Sequence, residues 1–296
     1  VFRRLSGIRL KKEIKTQARH RRSLSLWIKG AAIVALALLA GTLSACSRSS
    51  TAIIISGSTS VQPYAEILAE EYAHIRPDIQ IDVLGGGSSA GVMAAEDGTA
   101  AIGMSSRELT EAELELWHVM IAKDGLAVVV HPNNPIQDLT LEQVRDIYSA
   151  QITNWSELGG TDARIHVITR EEGSGTRSAF ESLVMGKEAF ITQRAIVQDS
   201  NGAVRQLISD DRNAIGFLSL GLVEHSDSIR SLLLDGVEAT AENVMNGRYN
   251  LYRPFLFITK EEPVGEVKAF IDFVLSPEGQ ALLAHEGLIP RMEGNE

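Results

Sequence analysis

Along the chain, short apolar runs alternate with stretches of helical spacing, and polar, glycine-bearing turns sit between them. Residues 52–55, Ala-Ile-Ile-Ile, predict a buried strand that turns at 56–58. Val61, Tyr64, Ala65, Leu68, Ala69 and Tyr72 then recur three or four positions apart. That spacing predicts a helix over 61–75, with Pro63 tolerated in its first turn and Arg76-Pro77-Asp78 ending it. Residues 79–84 alternate as a strand, 90–97 read as a short helix, and 100–104 as a further strand. Helical spacing returns over 110–117 and a buried strand over 126–130. The next helix, 139–148, opens near Thr140 with Glu142 and Gln143 as capping partners. Strands at 165–169, 214–218 and 251–259 and helices at 177–185, 201–209, 262–275 and 277–284 complete the pattern, with Pro254 marking an edge or bend. A repeated order of strand, loop, helix and strand argues for an open α/β sheet with ligand loops beyond the strand C-termini.

The first 45 residues differ from the rest. Ten Lys or Arg stand against the single acid Glu13 within residues 1–30, followed by an apolar run over 31–43 and then Ala45-Cys46. A basic region, a short apolar region and small residues form an export signal, and the run is shorter than the roughly 20 residues of a membrane-spanning helix. Removing this leader leaves 18 Lys and Arg against 37 Asp and Glu, a formal charge of −19 in place of −10 for the whole sequence. Such a surface repels nucleic acid and anionic lipid, so an anionic ligand has to be captured by local, focused donors. Cys46 is the sole cysteine, which excludes an intrachain disulfide.

Three turns carry the candidate chemistry: Gly57-Ser58-Thr59-Ser60, Gly85-Gly86-Gly87-Ser88-Ser89 and Gly173-Ser174-Gly175-Thr176. Each lies between a strand and a helix. The first N–H groups of a helix have no intrahelical acceptor and sit at the positive end of its dipole, which favours an anion. Glycine lets the backbone come close, and Ser and Thr hydroxyls add donors. Singly, such a cluster is more often only a turn or an N-cap. The third adds Arg170, whose guanidinium at the end of its strand converges with the helix start on one tetrahedral oxyanion. Glu172 is the expected orienting partner of Arg170, a surface ion pair of Arg170 with Glu171 or Glu172 is the structural alternative, and Arg177 is a second candidate cation.

These segments resemble the bacterial periplasmic phosphate-binding proteins that serve phosphate ABC importers, solute-binding proteins of the type II class. The resemblance rests on residues 55–61, Gly87-Ser88-Ser89-Ala90-Gly91, Ile102-Gly103-Met104-Ser105-Ser106-Arg107, Ile152-Thr153-Asn154-Trp155 with Gly159-Gly160, and residues 170–176. Residues 249–254 resemble the family's return crossing. It implies a two-lobed α/β fold with an open mixed sheet and flanking helices in each lobe, the ligand cleft lying between lobes. One lobe would comprise 52–129 and 250–296, the other 130–249, with hinges near 129–131 and 246–251. It implies phosphate donors at Ser58, Thr59, Ser60, Ser88, Ser89, Arg170, Ser174, Gly175 and Thr176. Ser106 stands where many members place an Asp that accepts the proton of hydrogen phosphate and rejects sulfate. Leu43-Ser44-Ala45-Cys46 resembles the lipobox of bacterial lipoproteins, which implies lipidation of Cys46, a tether over 46–51 and an extracytoplasmic, membrane-anchored monomer with permease subunits as partners.

No cofactor, metal or nucleic-acid partner is expected. The seven histidines are scattered, no nucleophile elbow accompanies the serines, and His118, His131 and His166 lack metal-ligand spacing, so catalysis is not expected. Binding of another tetrahedral oxyanion such as sulfate or molybdate, or phosphate sensing without transport, are the alternatives.

Overall fold

The computed structural model describes residues 52–224 and 226–291. The expected leader, Cys46 and the tether lie outside the described residues. The first structural unit of the body is β1 (Ile53–Gly57), α1 (Gln62–Ile75), β2 (Ile81–Gly85), α2 (Ser88–Asp97) and β3 (Ile102–Ser105). After a 3₁₀ turn at Glu113–Glu115 comes the long strand β4 (Trp117–Val130). The second part contains β5 (Asp138–Leu139), α3 (Leu141–Tyr148), β6 (His166–Arg170), α4 (Gly175–Phe180) continued by a π-turn at Glu181–Met185, β7 (Ile196–Gln198) and α5 (Asn201–Asp210). It continues through β8 (Ala214–Ser219), α6 (Leu220–Glu224), β9 (Arg230–Ser231), β10 (Leu233–Leu234) and α7 (Ala241–Met245). The chain returns in β11 (Tyr252–Thr259), α8 (Gly265–Leu275), α9 (Pro277–His285) and β12 (Ile289–Pro290).

The main sheet runs β2-β1-β3-β11-β4-β8-β6-β7, with β12 and β9 also pairing with β4. β1 is parallel to β2 and β3, and β6 is parallel to β7 and β8, whereas β11 and β4 run antiparallel to their neighbours. This mixed sheet with helices around two cores is the two-lobed type II architecture.

β4 belongs to both lobes. Trp117–Gly125 pairs with β11, and Leu126–Val130 pairs with β8. Packing changes at the same place: Ile121 and Ala122 join the core of β1, α1, β11 and α8, while Leu126 to Val130 join the core of α3, β6, β8 and α5. The first crossing therefore falls between Gly125 and Leu126, upstream of the expected boundary after residue 129. On the return, Tyr249 and Leu251 still pack in the second core, and β11 begins at Tyr252.

Most expected elements are present within a few residues of the predicted bounds. The Thr140–Gln143 capping box forms, with Gln143 N donating to Thr140 Oγ1 at 3.1 Å and Thr140 N to Gln143 Oε1 at 2.9 Å, a motif that stabilises a helix start by about 1 kcal/mol. The helix expected over 110–117 is not formed. Only Glu113–Glu115 is helical, because Trp117 is drawn into β4 opposite Thr259.

Candidate functional site

The C-terminal ends of β1, β2, β3 and β6 deliver their turns to one place at the lobe junction. Ser58, Ser60, Ser88, Ser106, Ser174 and Thr176 are all buried there, although each carries a hydroxyl. Burying polar groups is tolerable only when they are hydrogen-bonded. Within the first lobe, Ser58 Oγ donates to Ser106 Oγ at 2.8 Å, and Ser106 N donates to Ser88 Oγ at 3.1 Å. Across the junction, Ser60 Oγ and Thr176 Oγ1 are 2.8 Å apart. Gly175, the first residue of α4, sits so close that a Cβ there would overlap Ser88 Oγ and Ser106 Oγ. The amides of Gly175 and Thr176 lie in the first turn of their helix and have no carbonyl of their own helix to serve.

Thr59 and Ser89 occupy the rim. Thr59 Oγ1 accepts from Arg170 Nη2 at 3.3 Å. Ser89 is half-buried, and its N–H donates to Gly173 O at 3.1 Å, so it closes the seam between lobes and does not join the hydroxyl cluster. Gly87 makes that seam possible: its φ of 89° is left-handed and Gly173 O lies 3.2 Å from where a Cβ would stand. Ser174 caps its helix, accepting from Arg177 N at 3.3 Å.

Arg170 is 1% exposed and held on several sides. Its Nε and Nη2 donate to the two Glu171 oxygens, each at 2.9 Å, and to Gln198 O and Asp199 O at 3.2 and 3.1 Å. The orienting carboxylate is therefore Glu171, which corrects the expectation for Glu172. The structural alternative, an ion pair of Arg170 with Glu171, is thus formed, with the guanidinium buried and held bidentately and the carboxylate partly exposed. Arg177 is turned away, with Nε on Glu181 at 2.8 Å and Nη1 on Arg170 O at 3.1 Å.

Three further residues complete the cluster. Arg253 on β11 is fully enclosed and lies directly opposite Asp124 on β4 in the strand register. Arg253 Nε and Nη2 donate to Asp124 Oδ2 at 3.0 and 2.9 Å. The same guanidinium reaches Ser60 Oγ at 3.0 Å and Ser106 Oγ at 3.3 Å. Asp124 Oδ1 accepts from Ser219 Oγ at 2.7 Å. Burial pushes the Asp124 carboxyl above its ordinary range against the pull of Arg253, and burial lowers Arg253, with the Asp124 charge opposing and the Arg170 charge reinforcing that fall. The site thus holds two neighbouring guanidiniums, not the single one expected, each matched by one carboxylate.

The third is Asn201, which opens α5 and is 2% exposed. With its amide oxygen facing the donors, it accepts from Ser60 N at 3.2 Å, Ser60 Oγ at 2.8 Å, Thr59 Oγ1 at 3.1 Å and Arg170 Nη1 at 3.3 Å. A fourth strand–turn–helix junction, Gln198 to Asn201, therefore joins the three visible in sequence. Chemically, the cluster is a dense set of hydroxyl, amide and guanidinium donors in a buried space at a lobe junction. Among the described residues no group of three or more His, Cys, Asp and Glu is placed to hold a metal ion.

Comparison with known proteins places this architecture. A model of the PBP superfamily domain matches residues 44–278. The phosphate-binding protein PstS of Bacillus subtilis is 31% identical over 249 residues, covering 82% of each chain. A phosphate ABC transporter substrate-binding protein of Clostridium perfringens, solved with phosphate bound, is 47% identical with a TM-score of 0.78, covering 81% of this chain and all of that one. An ABC-type phosphate transport receptor of Vibrio cholerae is 40% identical with a TM-score of 0.67 over 81% of this chain and all of its own. With buried hydroxyls, helix starts and guanidiniums gathered between two type II lobes, the chain belongs to the PstS-like phosphate-binding proteins of the periplasmic-binding-protein superfamily.

Proposed function

We propose that this protein binds inorganic phosphate outside the cytoplasmic membrane and delivers it to the permease subunits of an ABC importer, acting as a monomer. One observation carries the reading: two buried guanidiniums and a set of buried hydroxyls and helix-start amides converge from both lobes on one spot. Arg170, Ser174, Gly175 and Thr176 supply the donors of the second lobe. Ser58, Ser60, Ser88 and Ser106 supply those of the first, with Thr59 and Ser89 at the rim and Arg253 on β11. A dehydrated tetrahedral anion needs a donor for each oxygen, because an unpaired buried charge costs more than its contacts return. Bonds such as Ser60–Thr176 and Arg170–Thr59 span the lobes, so opening the cleft breaks them and frees those donors for an ion. Closure over the ion then selects the liganded state, which is the form a permease would recognise.

Ser106 is the residue that sets selectivity. Its hydroxyl stands among Ser58, Ser88 and Arg253, and it can accept the proton of hydrogen phosphate as well as donate. A carboxylate there would repel sulfate; a hydroxyl does not, which favours weaker discrimination and keeps a broader oxyanion specificity as the second reading. Extracytoplasmic placement accords with the family, and Cys46 is the proposed lipid attachment point.

Calorimetric titration with phosphate, sulfate, arsenate, molybdate and a phosphonate tests the reading. Phosphate should bind most tightly, with arsenate near it and sulfate measurably weaker. Failure of every tetrahedral anion to bind would overturn it. Deletion of the gene should abolish high-affinity phosphate uptake; intact uptake with altered phosphate signalling would point to sensing.

A further inference from the structure

Two cavities flank the buried cluster, and their charges differ. The larger, about 500 Å³, borders the cluster at Ser89 and Arg253. Its cations are neutralised. Arg107 is forked on Glu113 at 2.7 and 2.8 Å, Arg253 is paired with Asp124, and the acid Glu108 also lines the space. The smaller cavity, about 150 Å³, borders the cluster at Thr59 and Asn201 and is walled by Pro63, Gly202, Leu218 and Arg205. Among the described residues no carboxylate lines it.

Arg205 is exposed and makes no hydrogen bond or ion pair among the described residues. Its helix neighbours on α5 explain this. Positions three and four residues away are Asn201, Gly202, Ile208 and Ser209, none of them acidic. The spacing of four also places Arg205 on the same helix face as Asn201, which touches Thr59 and Ser60 in the cluster. A long cationic side chain is thus held one turn outside the site, unpaired with any carboxylate among the described residues, on a body whose formal charge repels anions.

We infer that the Thr59–Asn201–Arg205 cavity is the mouth through which the anion enters, and that Arg205 is a capture residue that raises the association rate of phosphate without holding it in the closed site. The inference rests on the phosphate-binding reading above. A rim charge acts mainly on the on-rate and its salt dependence, whereas a buried contact acts on the off-rate. The smaller cavity is favoured over the larger because, of these two and among the described residues, it presents the uncompensated cation next to the cluster.

The test uses radiolabelled phosphate, with Kd from equilibrium dialysis, koff from rapid-filtration chase and kon from their ratio, for wild type, Arg205→Gln, Arg205→Glu and Arg205→Lys. At low ionic strength kon should fall about three- to tenfold in Arg205→Gln and further in Arg205→Glu, stay near wild type in Arg205→Lys, and leave koff within about twofold. The differences should shrink in high salt. An unchanged kon in Arg205→Glu would overturn the inference, as would a loss carried by koff, which would place Arg205 on the bound ion. Unaltered thermal melting of these exposed-site variants excludes misfolding as the cause. Absence of phosphate binding by the wild type would instead overturn the underlying function.

Discussion

Asp124→Asn should separate stability from affinity, moving them in opposite directions. In the folded protein the Asp124 carboxylate is completely buried and takes two bonds from Arg253, at 2.9 and 3.0 Å, and one from Ser219, at 2.7 Å. Replacing it with the isosteric amide keeps a neutral acceptor but leaves Arg253 as a buried cation without its counter-charge. Removal of one partner of a buried pair costs about 3 to 5 kcal/mol, and the retained acceptor puts the expected loss for the unliganded protein near the lower figure. An anion bound beside Arg253 Nη2 feels the opposite effect. The same nitrogen bonds Asp124 and Ser60, so the ion sits one guanidinium away from the carboxylate, roughly 7 Å, where an effective dielectric of about 20 makes the repulsion per anion charge about 2 kcal/mol. Deleting the carboxylate charge should therefore tighten phosphate binding by about tenfold or more. Scanning calorimetry without and with saturating phosphate, together with titration calorimetry, measures both quantities on the same sample. A variant that loses both stability and affinity, or loses stability with affinity unmoved, would refute the placement of Arg253 between carboxylate and ligand.

Arg170→Ala should weaken phosphate binding by at least about 2 kcal/mol, since a buried charge-assisted contact is lost, and calorimetry giving wild-type affinity would remove Arg170 from the site. Glu171→Gln should alter phosphate affinity severalfold by releasing the Arg170 fork, whereas Glu172→Gln should leave the same titration unchanged; the reverse order would restore Glu172 as the orienting residue. Ser106→Asp should lower sulfate affinity more than phosphate affinity, and an unchanged sulfate-to-phosphate ratio in competition dialysis would show that position 106 does not set selectivity. The Arg107 fork holds the Glu113 carboxyl down at about 2 from an ordinary 4.5. Because the folded value is depressed, the pair's contribution is present above the unfolded pKa and is lost as pH falls from about 4.5 towards 2. Glu113→Gln should cost about 1 kcal/mol at neutral pH after solvent screening, and urea melts should converge with wild type near pH 2; a constant gap would exclude the ion pair as its source.

Much of the architecture can be read locally because its strands and helices carry clean periods. The first lobe's turns each combine a strand end, glycine and hydroxyls, and all lead to the same buried cluster. The strand β4 is harder to read. Lys123-Asp124-Gly125 interrupts its apolar pattern with two charges and a glycine, which locally looks like a turn. What keeps it extended is Arg253, a partner 129 residues away, and no local signal contains that information. The same gap hid both halves of the ion pair and displaced the expected lobe crossing. Asn201 did leave a trace: Ser200-Asn201-Gly202 is another polar turn before an amphipathic helix, and Ser200 caps it by accepting from Ala203 N at 3.2 Å. Glu172 looked as suitable as Glu171 because adjacent residues leave a strand end in different directions, and only the backbone path decides which one meets the guanidinium. The strands β5, β7, β9, β10 and β12 span two or three residues each, too short for any period to register.

The most direct measurement is a crystal structure with phosphate bound. One ion is expected between the lobes, with oxygens within hydrogen-bonding distance of the Arg170 and Arg253 guanidiniums, the Ser60 and Thr176 hydroxyls and the Gly175 and Thr176 amides, and with the Asp124–Arg253 pair intact. An ion seated elsewhere, or one held at this junction without either guanidinium, would contradict it.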